Sequence, residues 1–364
     1  MTPNLTSGAE SLEISWPDGT VGQFPYIWLR DSDPSGFHAK TGERDFDLTS
    51  VPHEAEITAD ALILTWTSGA APSRFDLDWV KAHRPGQVRY DPADIAPVPW
   101  RAELGDHGVP RKDASALMSS NDALAEWLEQ TKRYGLSIVT GLADDPEAGE
   151  TVARRIGHLR ETNFGVTFEV MSKPDPINLA YTSDALPLHT DLTNQDAPPG
   201  YQFLHCIANE AQGGGSTFCD GAAVAEDLRA ADPEAFEILS TVSVPFRFHD
   251  NETDIRSRKR VIELGAKGEV REVCFNAHLA DILDLDPSTM TAFYRAYRKF
   301  MQMTRDPAYG IAFRLSGGEM VVFDNRRVMH GREAFDPSTG FRHLRGCYVD
   351  RGEWDSRLRV LKRV

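Results

Sequence analysis

Apolar and polar side chains alternate along Leu12–Trp16, the pattern of a strand with one face buried. Asp18-Gly19 supplies a turn, Gln23–Leu29 continues the extended pattern, and Ala61–Trp66 repeats it. Together these predict a small β-rich N-terminal domain over residues 1–95, with a short helix around Asp76–Val80. Pro92, Pro97, Pro99 and Pro110 mark a connecting segment before a larger domain over residues 96–364, because proline removes the backbone donors that regular elements need. In that larger domain, polar residues at Ser120-Asn121-Asp122 precede apolar residues at helical spacing, and Gly135 offers a stop. Leu136–Thr140 then reads as a strand and Glu150–Leu159 as another helix. Pro287–Thr304 is an amphipathic helix whose aromatic residues pack on the core or across a dimer interface.

Charge narrows the function classes. The 364 residues carry a formal net charge of −16, which repels polyanions and excludes nucleic acid and anionic membranes as natural partners. No apolar run reaches the length of a bilayer span, and Met1-Thr2-Pro3-Asn4-Leu5 has neither a basic nor an apolar signal region. A cytoplasmic enzyme is the simplest reading. Cys206, Cys219, Cys274 and Cys347 lack the close pair spacing of a disulfide framework or thiolate cluster. The basic run Arg256–Arg260 reads as a solvated strand edge.

The chemistry concentrates at Leu188-His189-Thr190-Asp191. On extended backbone His189 and Asp191 point to the same side, so both reach one ion. They supply two ligands of a 2-His-1-carboxylate face, which leaves positions open on Fe(II). Met329-His330-Gly331, after the apolar stretch Met320–Phe323, provides the distant histidine. Gln212–Thr217 is a glycine turn carrying hydroxyls, and Arg342 offers a guanidinium for a two-pronged contact with a carboxylate.

Tyr26–Asp31, Leu186–Asp191, Pro198–Cys206 and Arg342–Tyr348 carry a resemblance over almost the whole chain. The sequence resembles the gamma-butyrobetaine hydroxylase-like Fe(II)/2-oxoglutarate-dependent dioxygenases of the taurine dioxygenase superfamily. The resemblance implies a mainly β fold with helices: a double-stranded β-helix (jelly-roll) catalytic domain behind the small β-rich N-terminal domain. It implies Fe(II) held by His189, Asp191 and His330, and 2-oxoglutarate held by Arg342 with Ser216, Leu204 and Arg345, although Arg345 reads equally as a surface ion pair. It also implies an aromatic cage for a trimethylammonium group, built from Tyr181, Tyr348, Phe164 and Phe168, since a quaternary cation is attracted to ring faces. Asn178 and Asn276 occupy positions for the substrate's anionic end. Relatives carry a zinc-binding cysteine cluster after the Trp-Leu-Arg-Asp motif; here Asp31–His38 has no thiolate. No structural zinc is expected, and Asp33 and His38 read as parts of an exposed loop.

The implied reaction is hydroxylation, with O2 and 2-oxoglutarate, of gamma-butyrobetaine to L-carnitine. The alternatives are the same step on 2-(trimethylamino)ethylphosphonate or trimethyllysine and, from another class, a non-catalytic iron or 2-oxoglutarate sensor. A homodimer is expected from the family.

Overall fold

The computed structural model describes residues 2–44, 52–67, 69, 71–172 and 181–363. The chain divides into two compact units, Met1–Tyr90 and Asp91–Val364.

The first unit holds, among the described residues, two three-stranded antiparallel sheets. Asn4–Ser7, Ser11–Ser15 and Val21–Pro25 form one, and Pro52–Ile57, Ala61–Trp66 and Ser73–Asp76 the other. Leu12, Ile14, Phe24, Leu62, Leu64 and Phe75 are buried in its core, as the alternation requires. The extended reading of Gln23–Leu29 fails after Pro25, where Tyr26–Asp31 is a helix. Pro25 has no N–H for the ladder, and its φ of −57° and ψ of 135° lead the chain into the first turn. Helical spacing then buries Leu29 and brings Trp28 within 5.8 Å of Phe24. Asp76 caps the following helix, Leu77–Ala82, by accepting from Trp79 N at 2.8 Å. Asp33 is buried rather than exposed, and accepts from Arg30 Nη1 at 3.0 Å, Ser35 N at 2.9 Å and the Ser73 hydroxyl.

The second unit is a mainly β jelly-roll with helices. Its six-stranded sheet runs Arg111–Asp113, Leu136–Thr140, Met320–Asp324, Tyr201–Asn209, Arg342–Val349, Thr167–Val170. Facing it, a four-stranded antiparallel sheet runs Leu186–His189, Val328–Arg332, Ser216–Asp220, Gly310–Phe313. Met320–Asp324 shows how one sequence serves two layers. Met320 and Val322 join an outer core with Trp127, Tyr201 and Trp354, while Val321 and Phe323 join Leu204, Phe218 and Leu344 between the sheets.

Helices close both outer faces. Asn121–Tyr134 is capped by the Ser120 hydroxyl on Ala123 N at 3.2 Å and ends at Gly135, whose φ of 71° suits the left-handed stop. The helix expected over Glu150–Leu159 spans Ala148–Arg154 instead, because Arg155 and Ile156 turn back with tight bonds to Val152 O and Ala153 O. Pro287–Thr304 forms as expected and packs Phe293 and Phe300 into a third core behind the four-stranded sheet. Among the described residues no helix is long and apolar enough to cross a membrane.

Candidate functional site

His189 closes one strand of the four-stranded sheet, and His330 lies directly opposite it on the neighbouring strand. Cross-strand partners project to one face at close range, and the two rings stand 4.3 Å apart. Asp191 lies beyond the strand end. Its place is set by Asn325, whose Oδ1 accepts from Asp191 N at 2.6 Å and whose Nδ2 donates to Asp191 O at 3.1 Å. Asn325 sits in the turn that leads to the His330 strand, so one amide registers the carboxylate to the distant histidine. Thr190 is tied on its other side, donating from N to Phe275 O at 2.7 Å and accepting from Phe275 N at its hydroxyl. Leu192 then takes a left-handed φ of 55°, turning the chain sharply away.

The donor atoms of His189, Asp191 and His330 lie within 4.8 Å of one another. His189 Nδ1 sits 2.9 Å from Pro187 O, which fixes the proton there and leaves Nε2 free, 3.1 Å from Asp191 Oδ1. Burial, and then the neighbouring His189, push His330 down to about 3, so its imidazole is neutral. Withdrawal from water pushes the Asp191 carboxyl up, but His330, His189 and a bond from the Tyr348 hydroxyl more than offset this and keep it ionised. Two imidazoles and a carboxylate match the donor set for Fe(II) with positions to spare.

A cavity of about 280 Å³ opens on this face between the sheets. Ser216, Leu204 and Arg342 line it. Arg342 reaches in because Gly214, at φ 70°, leaves room: a Cβ there would stand 2.8 Å from Arg342 Nε. Arg342 Nε donates to Gly214 O at 3.2 Å, while its buried Nη1 has no hydrogen-bond partner among the described residues. Burial and then the nearby Arg332 push Arg342 down to about 10, still protonated at neutral pH. A buried cation with an unanswered N–H is a receptor for a carboxylate.

The rings of Phe164, Phe168, Tyr181 and Tyr348 line the same cavity. Phe168 stacks on Tyr348 at 5.1 Å, and Gly346 makes this possible, since a Cβ there would overlap the Phe168 ring. Asn276 is present in the lining, and Asn178 lies outside the described residues. Arg345 does not join Arg342. Strand alternation turns it to the opposite face, where Nη1 donates to Glu169 Oε1 at 2.6 Å and Nη2 to Thr167 Oγ1 at 3.1 Å. Sequence reasoning missed Phe248, His278, Arg332 and Gln202 in the lining. Arg332 was within reach of it, two residues after His330 on the same strand.

Residues 94–348 match the family model described as Taurine catabolism dioxygenase TauD, TfdA family. The jelly-roll, its triad and this match define an Fe(II)/2-oxoglutarate-dependent dioxygenase, and the chain belongs to the TauD, TfdA family. It is 40% identical to a gamma-butyrobetaine dioxygenase of Pseudomonas sp. (strain AK-1), over 99% of this chain and 96% of that protein. The human gamma-butyrobetaine dioxygenase is 31% identical, with 98% and 95% covered. The solved structure of AAD-2 in complex with Mn(II) and N-oxalylglycine shares the fold, with a TM-score of 0.52 at 15% identity over 71% of this chain and 98% of that one.

Proposed function

We propose that the protein hydroxylates a small trimethylammonium compound, gamma-butyrobetaine to L-carnitine being the first assignment. The observation that carries this is the composition of the cavity wall. Five Phe and Tyr rings line one space with the triad, Phe248 joining the four of the cage, and among the described lining residues Asp191 is the sole carboxylate. A primary amine would need acceptors for its N–H groups; a quaternary ammonium needs only ring faces. Relatedness to gamma-butyrobetaine dioxygenases over nearly the full chain supports the same substrate class.

His189, Asp191 and His330 would hold the iron, and the Arg342 guanidinium, with the Ser216 hydroxyl, the far carboxylate of 2-oxoglutarate. The bound iron supplies O2 activation coupled to decarboxylation of the cosubstrate. The chain's own residues keep the His330 imidazole neutral, fix the His189 tautomer through Pro187 O, and enclose one C–H bond in an apolar space. The same reading carries a homodimer, which sedimentation of the purified chain tests.

The functional test is anaerobic loading with Fe(II) and 2-oxoglutarate, followed by O2, with carboxylate and phosphonate trimethylammonium compounds. Succinate together with a product one oxygen heavier is the expected result. Succinate uncoupled from every compound would reject the substrate class, and no succinate with any of them would favour a sensor.

A further inference from the structure

A zwitterion held by its cationic end in an aromatic cage needs a second contact to fix which carbon faces the metal. Asn276 lines the cavity but its amide is engaged by backbone. Its Nδ2 donates to Thr190 O at 3.0 Å, and its Oδ1 accepts from His278 N at 3.0 Å and Leu279 N at 3.1 Å. An amide carbonyl has two lone pairs, so that oxygen is saturated, and one of the two Nδ2 hydrogens is taken by Thr190 O. Its work is to shape the turn that presents the next polar side chain. That side chain, His278, is exposed on the cavity wall, and its ring nitrogens meet no hydrogen-bond partner among the described residues.

The placement suits a zwitterion. The Tyr348 hydroxyl reaches Asp191 Oδ2 at 2.7 Å, Asp191 Oδ1 lies 3.1 Å from His189 Nε2, and the His189 ring stands 6.2 Å from the His278 ring. The cage ring of Tyr348 and the His278 ring thus both border the triad. Because Asn276 joins the His278 turn to the carbonyl of Thr190, between two triad residues, this spacing is fixed by hydrogen bonds.

We propose that His278 binds the substrate's anionic end, an imidazole N–H donating to a carboxylate or phosphonate oxygen. This rests on the trimethylammonium reading above and assigns the opposite terminus of that substrate. A neutral imidazole retains one N–H, so the contact requires no change of charge on the ring.

Calorimetry of the Mn(II)- and 2-oxoglutarate-loaded protein without O2 tests it. The probes are gamma-butyrobetaine, 2-(trimethylamino)ethylphosphonate and anion-free butyltrimethylammonium. His278→Ala is expected to weaken whichever anionic compound the native protein binds by about 10-fold or more, and to leave butyltrimethylammonium and 2-oxoglutarate unchanged. His278→Asn, which keeps an N–H donor, is expected to recover part of the loss. Which anionic compound binds the native protein separates the carboxylate from the phosphonate. Equal loss for charged and anion-free probes, or no loss, overturns the assignment alone. Failure of the native protein to bind any of the three overturns the trimethylammonium reading and the assignment with it.

Discussion

The Tyr348 hydroxyl donates to Asp191 Oδ2 at 2.7 Å, so one side chain offers its ring to the cage and its oxygen to the triad. The two roles are separable. Tyr348→Phe keeps the ring and should change trimethylammonium affinity little, while Mn(II) affinity falls by roughly 10- to 100-fold, as loss of a partner to a metal-binding carboxylate does. Titration followed by electron paramagnetic resonance reads the metal, and calorimetry reads the ligand. Loss of ligand affinity with metal affinity intact would reverse the assignment.

Asn325 is fully buried and bonds Asp191 N, Asp191 O and Pro199 O. Asn325→Ala should cost about 2–4 kcal/mol of stability in denaturant melts, since it leaves buried backbone groups unanswered, and should lower Mn(II) affinity in the protein that remains folded. Unchanged metal affinity would show that Asp191 finds its position without this amide.

Gly346→Ala should force the Phe168 ring off Tyr348. The expected outcome is a raised KM for the trimethylammonium substrate with the KM for 2-oxoglutarate unchanged. Parallel increases in both would mean that the strand itself has moved.

Arg342→Lys retains charge but not the planar fork. It should raise the KM for 2-oxoglutarate by about 10- to 100-fold, and Arg342→Ala should raise it further. Steady-state kinetics in 2-oxoglutarate measures this, and an unchanged KM would place the cosubstrate elsewhere.

Much of the fold was legible because period and caps agreed. Ala61–Trp66, Leu136–Thr140 and Pro287–Thr304 form as their patterns indicate. Tyr26–Asp31 was misread because its short apolar run fits either period, and Pro25 decided the matter. At the site, His189, Asp191 and His330 could be seen from residue type and spacing; strand pairing brings the two histidines together, and Asn325 brings Asp191 to them. Phe248 and His278 could not, because topology brings them to the cavity from segments with no motif of their own. Asn325 resembles any turn asparagine until its contacts across 134 residues are known. Of the two readings of Arg345, the structure shows the ion pair, with Glu169, because strand alternation turns the side chain away from Arg342.

The left-handed turn at Leu192 means that the triad's carboxylate is delivered by a corner and not by a ladder. Strand pairing alone sets His189 against His330, while Asp191 waits on donors and acceptors far away in the chain. The geometry that welcomes a divalent ion therefore comes into being only when both sheets and their connecting turns have docked. In a partly assembled chain the two histidines would meet without their acid partner. Tight metal binding thus reports completed folding, and the ion in turn acts as a latch on the finished structure.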